Sequence, residues 1–159
     1  MAIEPTTYRI ALSPFEAIEG DLHPVVSDLG AKGYLVDQLC LVGTPSAITP
    51  LSSFIDPSGA IDPGLSHLLA NTEPLHLPSA GIPVVASAGP ISNILLKQQS
   101  LLSWPAAAPL RRHLEKGNVV LAVNGLDDNQ FTYAARLLLR HSRGNLSTHI
   151  FRWPQDTAR

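Results

Sequence analysis

The pattern of apolar and polar positions is clearest toward the C-terminal end of the chain. Val119–Val123 is an unbroken apolar run typical of a buried strand, and it stops at the turn residues Asn124 and Gly125. Asp127 then offers an N-cap oxygen for a helix, and Gln130, three residues later, is placed to reach back toward it. The pattern predicts a strand followed by a capped helix.

The predicted helix has an apolar face and a basic face. Its apolar positions recur at helical spacing and are Phe131, Ala134, Ala135 and Leu138. Its basic positions are Arg136, Arg140 and Arg143. Gly144 is placed to end the helix in the left-handed conformation, and Thr148–Phe151 resumes as a strand. The whole stretch predicts a β-α-β unit.

The N-terminal part of the chain repeats this order of elements. Tyr8–Leu12 alternates as a strand does, and Ser13 and Pro14 are expected to end it. The helix that follows carries an apolar stripe made of Leu22, Val25, Val26 and Leu29. Gly33 closes this helix, and Gln38–Val42 is the next predicted strand. In both parts 25 positions separate the first strand from the closing glycine, which favours a structural duplication.

Two such units predict an α+β fold with a ferredoxin-like, four-stranded antiparallel sheet and both helices on one face. We expect residues 1–159 to form a single domain, with core halves at 7–43 and 117–152. Residues 44–116 then form a Pro-rich, mostly helical insertion that holds ten of the fourteen prolines and covers the other sheet face. Short helices are predicted in it near Pro45–Ser52, Pro63–Asn71, Pro90–Leu102 and Pro105–Lys116.

The composition favours a folded protein that associates with itself. Hydrophobic residues make up 45% of the chain, whereas charged residues make up only 15%, against a usual share of about 25%. The first 96 residues hold two basic and nine acidic residues (net −7), and the remainder hold nine basic and four acidic residues (net +5). This asymmetry favours subunit association or anion binding, unless the two parts interleave in space. We therefore expect a homo-oligomer.

The N-terminus has neither the basic start nor the apolar core of a signal sequence, and no apolar run reaches the roughly 20 residues that cross a bilayer. We therefore expect a cytoplasmic protein without a membrane partner. Cys40 is the only cysteine, which excludes an internal disulfide and a cysteine-based zinc site. The six histidines show no metal-ligand spacing, so the sequence predicts neither a metal nor a cofactor.

Two further segments resemble a known bacterial family. One is Ile82–Ile91, and the other runs from Leu102 through the Gly117 closure to the apolar strand at Val119–Val123. In order and spacing they resemble the general stress protein 17M-like domains, also called heat-induced stress protein YflT-like domains. The resemblance covers most of the chain but departs from the pattern at residues 43–80, where prolines occur instead of Gly and Ala. It implies a stress-related domain of unknown function, with no catalytic residues to carry over.

A small-molecule site is predicted where the insertion contains a run of small residues. Gly81, Ser87, Gly89 and Pro90 surround a Gly-Pro helix start, whose free backbone amides suit an anion. Close packing of the backbone against the sheet explains the same small residues. The stretch lacks a G-x-G-x-x-G or Walker motif, and the chain lacks a G-x-S-x-G elbow, so nothing in the sequence indicates catalysis.

Nucleic acid is a weaker alternative for the basic face of the last helix. An RNA-binding sheet needs aromatic residues on its central strands, and Val119–Val123 has none. The leading hypothesis is a non-enzymatic, stress-type domain that acts through self-association or partner binding. The alternative is a small-molecule or anion-binding module with a pocket between the insertion and the sheet.

Overall fold

The computed structural model describes residues 6–17, 19–52, 72–77, 82–87, 91, 95, 101–142 and 146–153. The strands and longer helices are β1 (Thr6–Phe15), α1 (Glu19–Ala31), β2 (Leu39–Gly43), α2 (Pro45–Ser52), β3 (Thr72–Leu77), β4 (Ile82–Ser87), α3 (Ala108–Glu115), β5 (Val119–Asn124), α4 (Asp128–His141) and β6 (Ser147–Trp153). Short 3₁₀ turns precede β2 and α3, at Val36–Gln38, Leu101–Ser103 and Pro105–Ala107. The predicted mixture of helices and strands is confirmed.

The strands form one open sheet in the order β3-β4-β2-β5-β1-β6, and every neighbouring pair is antiparallel. Within the described residues the sheet therefore has six strands, whereas the sequence predicts four. The insertion, which was expected to be mostly helical, supplies the additional pair, β3 and β4, beside β2. Pro74 in β3 and Pro83 in β4 concealed these strands, because proline is uncommon within a sheet.

The first face of the sheet is covered by α1, α2 and α4. Alternate residues of β1 and β5, among them Ala11, Phe15 and Leu121, join the buried residues of these helices in one core cluster. Along α4, Ala134 and Leu138 are buried while Phe131 and Ala135 pack partly buried against the same cluster, so the predicted apolar face is confirmed. Leu137 is buried as well, because α4 also packs beside α1.

The second face of the sheet is covered by the part of the insertion that follows β4. Buried residues of this part pack on the sheet residues Ile10, Leu12, Cys40, Val120 and Ala122. They are Ile91, Leu95, Leu101, Leu102, Ala107, Leu110 and Leu114. The insertion thus covers the sheet of its own chain, and Cys40 is a buried structural thiol.

Two predicted helix closures use glycine in the left-handed conformation. Gly33 after α1 has φ +91° and Gly117 after α3 has φ +90°. In each case the N–H groups of the glycine and of the next residue donate hydrogen bonds to carbonyls of the last helical turn. The Tyr34 N–H donates to Leu29 O, and the Asn118 N–H donates to His113 O. The predicted closure at Gly144 lies outside the described residues.

β1 continues through Ser13 and Pro14 to Phe15, although the sequence predicts that the strand ends at Ser13 and Pro14. Its pairing with β5 continues to Phe15, opposite Val119, whereas its pairing with β6 stops at Leu12. Pro14 therefore lies on a segment paired on one side, where a residue without an N–H is tolerated.

Candidate functional site

Ser87 is the one predicted ligand residue that the structure describes, and its side chain takes part in the hydrogen bonding of the sheet. It is 2% exposed, and its Oγ accepts a hydrogen bond of 2.9 Å from the Leu41 N–H. This bond extends the pairing of β2 with β4 beyond Val42 and Ala86. Gly81, Gly89 and Pro90 lie outside the described residues.

The predicted basic face of α4 points toward solvent where it is described. Arg136 and Arg140 are exposed, and Leu139 between them is 44% exposed. Arg143 lies outside the described residues. The two arginines are also suited to the C-terminal half of a helix, where the dipole favours positive charge.

A pocket of about 240 Å³ lies between the insertion and the sheet, at the end of the second face. It is lined by Pro14, Ala106, Pro109, Leu110, His113, Leu146 and Ser147. We call it the α3 pocket. It occupies the kind of place that the alternative hypothesis expects, although Ser87, the one predicted ligand residue that the structure describes, does not line it. Its volume is below the roughly 300–1,000 Å³ of sites for drug-sized ligands, so it suits a smaller molecule.

One wall of the α3 pocket is His113, which is held by a neighbour on the loop before β5. The Asn118 Nδ2 amide lies 3.1 Å from His113 Nδ1. An amide nitrogen only donates, so His113 Nδ1 is the acceptor and the imidazole carries its proton on Nε2. The ring therefore offers one N–H donor besides this contact.

The pocket is also lined by Ser147, the first residue of β6. Its Oγ lies 2.9 Å from His149 Nε2, because residues two apart on a strand point to the same face. The Trp104 ring packs edge-on against His149, with centroids 5.6 Å apart and an angle of 83° between the planes. Burial lowers the pKa of His149, which favours the neutral imidazole that a proton acceptor requires.

The outer strand β6 presents a second candidate surface. Ile150, in the middle of this strand, is 61% exposed and pairs with Arg9 of β1. The Arg9 side chain forms an ion pair of 3.1 Å with Asp128 and donates to the carbonyl of Leu126, which is itself 62% exposed. Two exposed apolar side chains therefore flank one ion pair at this edge.

A shallow depression of about 180 Å³ lies where α1 ends and α4 begins, lined by Lys32, Tyr34, Asn129, Gln130 and Tyr133. The Tyr34 hydroxyl donates to the Gln130 carbonyl at 2.5 Å, and the Tyr34 and Tyr133 rings stack at 6.1 Å. Burial, and then the nearby Tyr133 and Asp127, raise the pKa of Tyr34, so it remains a protonated donor. These contacts join the two helices. The packing of α1 against α4 therefore explains why these residues lie together, and no ligand is needed to explain it.

No family model, curated protein or solved structure matches this chain. Within the described part of the chain, no group of His, Cys, Asp or Glu side chains is arranged to hold a metal ion. The helices described there are all too short or too polar to cross a membrane. The geometry of the α3 pocket and of β6 therefore carries the functional argument.

The residues of the α3 pocket do not stand out in the sequence as ligand-binding residues. A signal was available for Ser147 and His149, since a spacing of two on a predicted strand places both side chains on one face. No comparable signal existed for His113, because it reaches the pocket only through the packing of α3 on the sheet.

Proposed function

We propose that this protein acts by self-association and that the β6 edges of two copies pair as antiparallel strands. The observation that carries the proposal is the exposed edge itself. Among the strands that the structure describes, β6 ends the sheet and pairs only with β1, and it contains no proline, so its outward N–H and C=O groups can pair with another strand.

The opposite edge of the sheet is less suitable for pairing. β3 includes Pro74, which has no N–H to donate and is a common device for blocking edge pairing. The difference between the two edges favours a closed pair joined through β6 over a chain of copies joined edge to edge.

The sequence of β6 is compatible with its own antiparallel copy. In a register centred on Ile150, Ile150 faces Ile150 of the second copy, and Arg152, which carries the only formal charge in this strand, faces Thr148. The pairing brings no like charges opposite each other and removes the exposed Ile150 side chain from water. A second copy of the chain is therefore the occupant that we assign to this edge.

Light scattering coupled to size-exclusion chromatography tests the assignment. The natural chain is expected to be a dimer, and Ile150→Lys, which places two ammonium groups opposite each other, is expected to be a monomer with unchanged circular dichroism. Leu35→Lys is the matched control, because Leu35 is similarly exposed (64% against 61%) but lies in the α1–β2 loop. A natural chain that is monomeric at high concentration, or a dimer that survives Ile150→Lys, would refute the proposal.

A second candidate function is the binding of a small molecule in the α3 pocket. The observation that favours it is a recess of about 240 Å³ whose lining includes the polar side chains of His113 and Ser147 among apolar residues. Pockets that combine apolar lining with a few polar groups are the usual form of ligand sites. Ala106→Phe, which fills the pocket from its exposed rim, should abolish such binding without removing a polar contact.

For the architecture, we propose that β1, α1, β2, β5, α4 and β6 constitute a ferredoxin-like core. The support is the order β2-β5-β1-β6 with α1 and α4 on the same face. β3 and β4 then extend this core at its β2 edge. Membership of the general stress protein 17M-like family, which the sequence resembles, stays a prediction.

A further inference from the structure

We infer that Ser147 is a nucleophile that accepts the acyl group of a small carboxylic ester bound in the α3 pocket. The inference rests on the second proposed function, binding of a small molecule in that pocket. It adds a reaction and a substrate class to a site that the sequence motifs did not indicate.

The first support is the contact between a nucleophile and a base. A serine hydroxyl is a weak nucleophile unless an adjacent group takes its proton, and His149 Nε2 lies 2.9 Å from Ser147 Oγ. Trp104 packs edge-on against the same imidazole and so restricts the rotation of the ring. This arrangement has the form of a nucleophile, a base and a group that orients the base.

The second support is the position of this pair at a pocket. Ser147 lines the α3 pocket, so a bound molecule is adjacent to the residue that would attack it. His113 lines the same pocket and has its Nδ1 occupied by Asn118, and we assign its Nε2–H as the donor to a carbonyl oxygen of the bound ester. Such a donor stabilises the negative charge that develops on this oxygen. The small volume restricts the acyl group to a short one.

The reaction follows from these positions. Ser147 Oγ bonds to the carbonyl carbon while its proton moves to His149 Nε2. The bond from carbon to the leaving oxygen then breaks, and the alcohol leaves with the proton from His149. Water attacks the acyl-serine, gives a proton to His149 and releases the carboxylic acid, and the proton returns to Ser147. No oxidant, reductant or metal is required.

The probe is 4-nitrophenyl acetate, with release of 4-nitrophenolate followed by absorbance and the acetylated residue identified by peptide mass spectrometry. We expect acetylation of Ser147, and its loss in Ser147→Ala. His149→Gln should lower the acetylation rate roughly 100-fold, the usual contribution of a general base. Ala106→Phe should block it by filling the pocket. Ser46→Ala is the matched control, because Ser46 is an exposed serine on α2.

Acetylation of lysines alone, or a Ser147 rate equal to that of Ser46, would overturn the inference. Binding is measured separately with 4-nitroacetophenone, a ketone that resembles the ester but has no leaving group, by chemical-shift changes of Leu146 and His113 in Ser147→Ala. If the ketone binds and Ser147 is not acetylated, the assignment of Ser147 as a nucleophile is refuted, whereas the α3 pocket still stands as a binding site. If the ketone does not bind, both are refuted.

Discussion

Gly125 lies so close to Phe131 that no side chain fits between the end of β5 and the first turn of α4. A Cβ built on Gly125 would be 2.5 Å from the Phe131 backbone nitrogen and 2.7 Å from its Cα. The approach is fixed on the other side by the Gly125 N–H, which donates to Arg9 O at 2.9 Å. The start of α4 is therefore held directly against β1 and β5.

Gly125→Ala should reduce the free energy of unfolding by about 1–3 kcal/mol, because the clash is with backbone atoms that move only with the helix. Gly30→Ala is the control, since Gly30 lies in α1 with no atom near its hypothetical Cβ and should gain up to about 1 kcal/mol in helix propensity. Urea denaturation of both variants measures the difference. Equal effects would contradict the close approach.

Two buried serines should respond in opposite directions to the same substitution. Ser13 is fully buried, and its Oγ has no hydrogen-bond partner among the residues that the structure describes, so Ser13→Ala removes an uncompensated polar atom and should raise the melting temperature. Ser87→Ala should lower it, at a cost of about 1–3 kcal/mol, because the Leu41 N–H loses its acceptor. Thermal unfolding monitored by circular dichroism compares them. A loss of stability in Ser13→Ala would show that this hydroxyl has a partner.

For three substitutions along α4, the loss of stability should increase with the burial of the side chain that is removed. Leu138 is fully buried, so Leu138→Ala should cost about 2–5 kcal/mol through lost burial and a cavity. Phe131→Ala should cost less than a fully buried aromatic would, because Phe131 is only partly buried. Arg140→Ala, on the exposed face, should change stability by no more than about 0.5 kcal/mol. Chemical denaturation gives the ranking, and equal losses for Leu138 and Arg140 would mean that α4 packs differently.

The burial of His149 predicts a pH dependence of stability. The folded pKa is lowered, whereas an unfolded histidine titrates near about 6.5, so between these values the unfolded chain binds the additional proton. The stability contributed by neutral His149 is therefore complete above about pH 6.5 and is lost as the pH falls toward the folded pKa. His149→Gln should show a smaller fall in melting temperature from about pH 7.5 to about pH 5. A His149 titration at or above about 6.5, measured by NMR, would contradict the lowered pKa.

Helix ends could be predicted from the sequence, because their hydrogen bonds join residues that are close neighbours along the chain. The Asp127 side chain accepts from the Gln130 N–H, as the capping pattern indicates, whereas the Gln130 side chain reaches one residue beyond the N-cap and accepts from the Leu126 N–H. Gly33 and Gly117 closed their helices as predicted, because only the last turn and the next two residues are involved.

The strands β3 and β4 and the α3 pocket could not be predicted in the same way, because they depend on contacts between residues far apart in the sequence. β3 and β4 pair as strands despite Pro74 and Pro83, because the exposed edge of β2 supplies a partner that no local pattern reveals. The α3 pocket likewise joins His113 of one segment to Ser147 of another. The sequence contained both residues but not the packing of α3 that brings them to one recess.

The position of β1 between β5 and β6 also determines when this core can assemble during synthesis on the ribosome. β1 is translated before both of its neighbours in the sheet, which are made only after the insertion. A nascent chain that has emerged only as far as α3 therefore holds β1 with both edges unpaired and α1 without the strands that it packs against. The core forms only once β5 and β6 have left the ribosome, so the apolar residues of β1 and α1 stay without their partners while the insertion is translated.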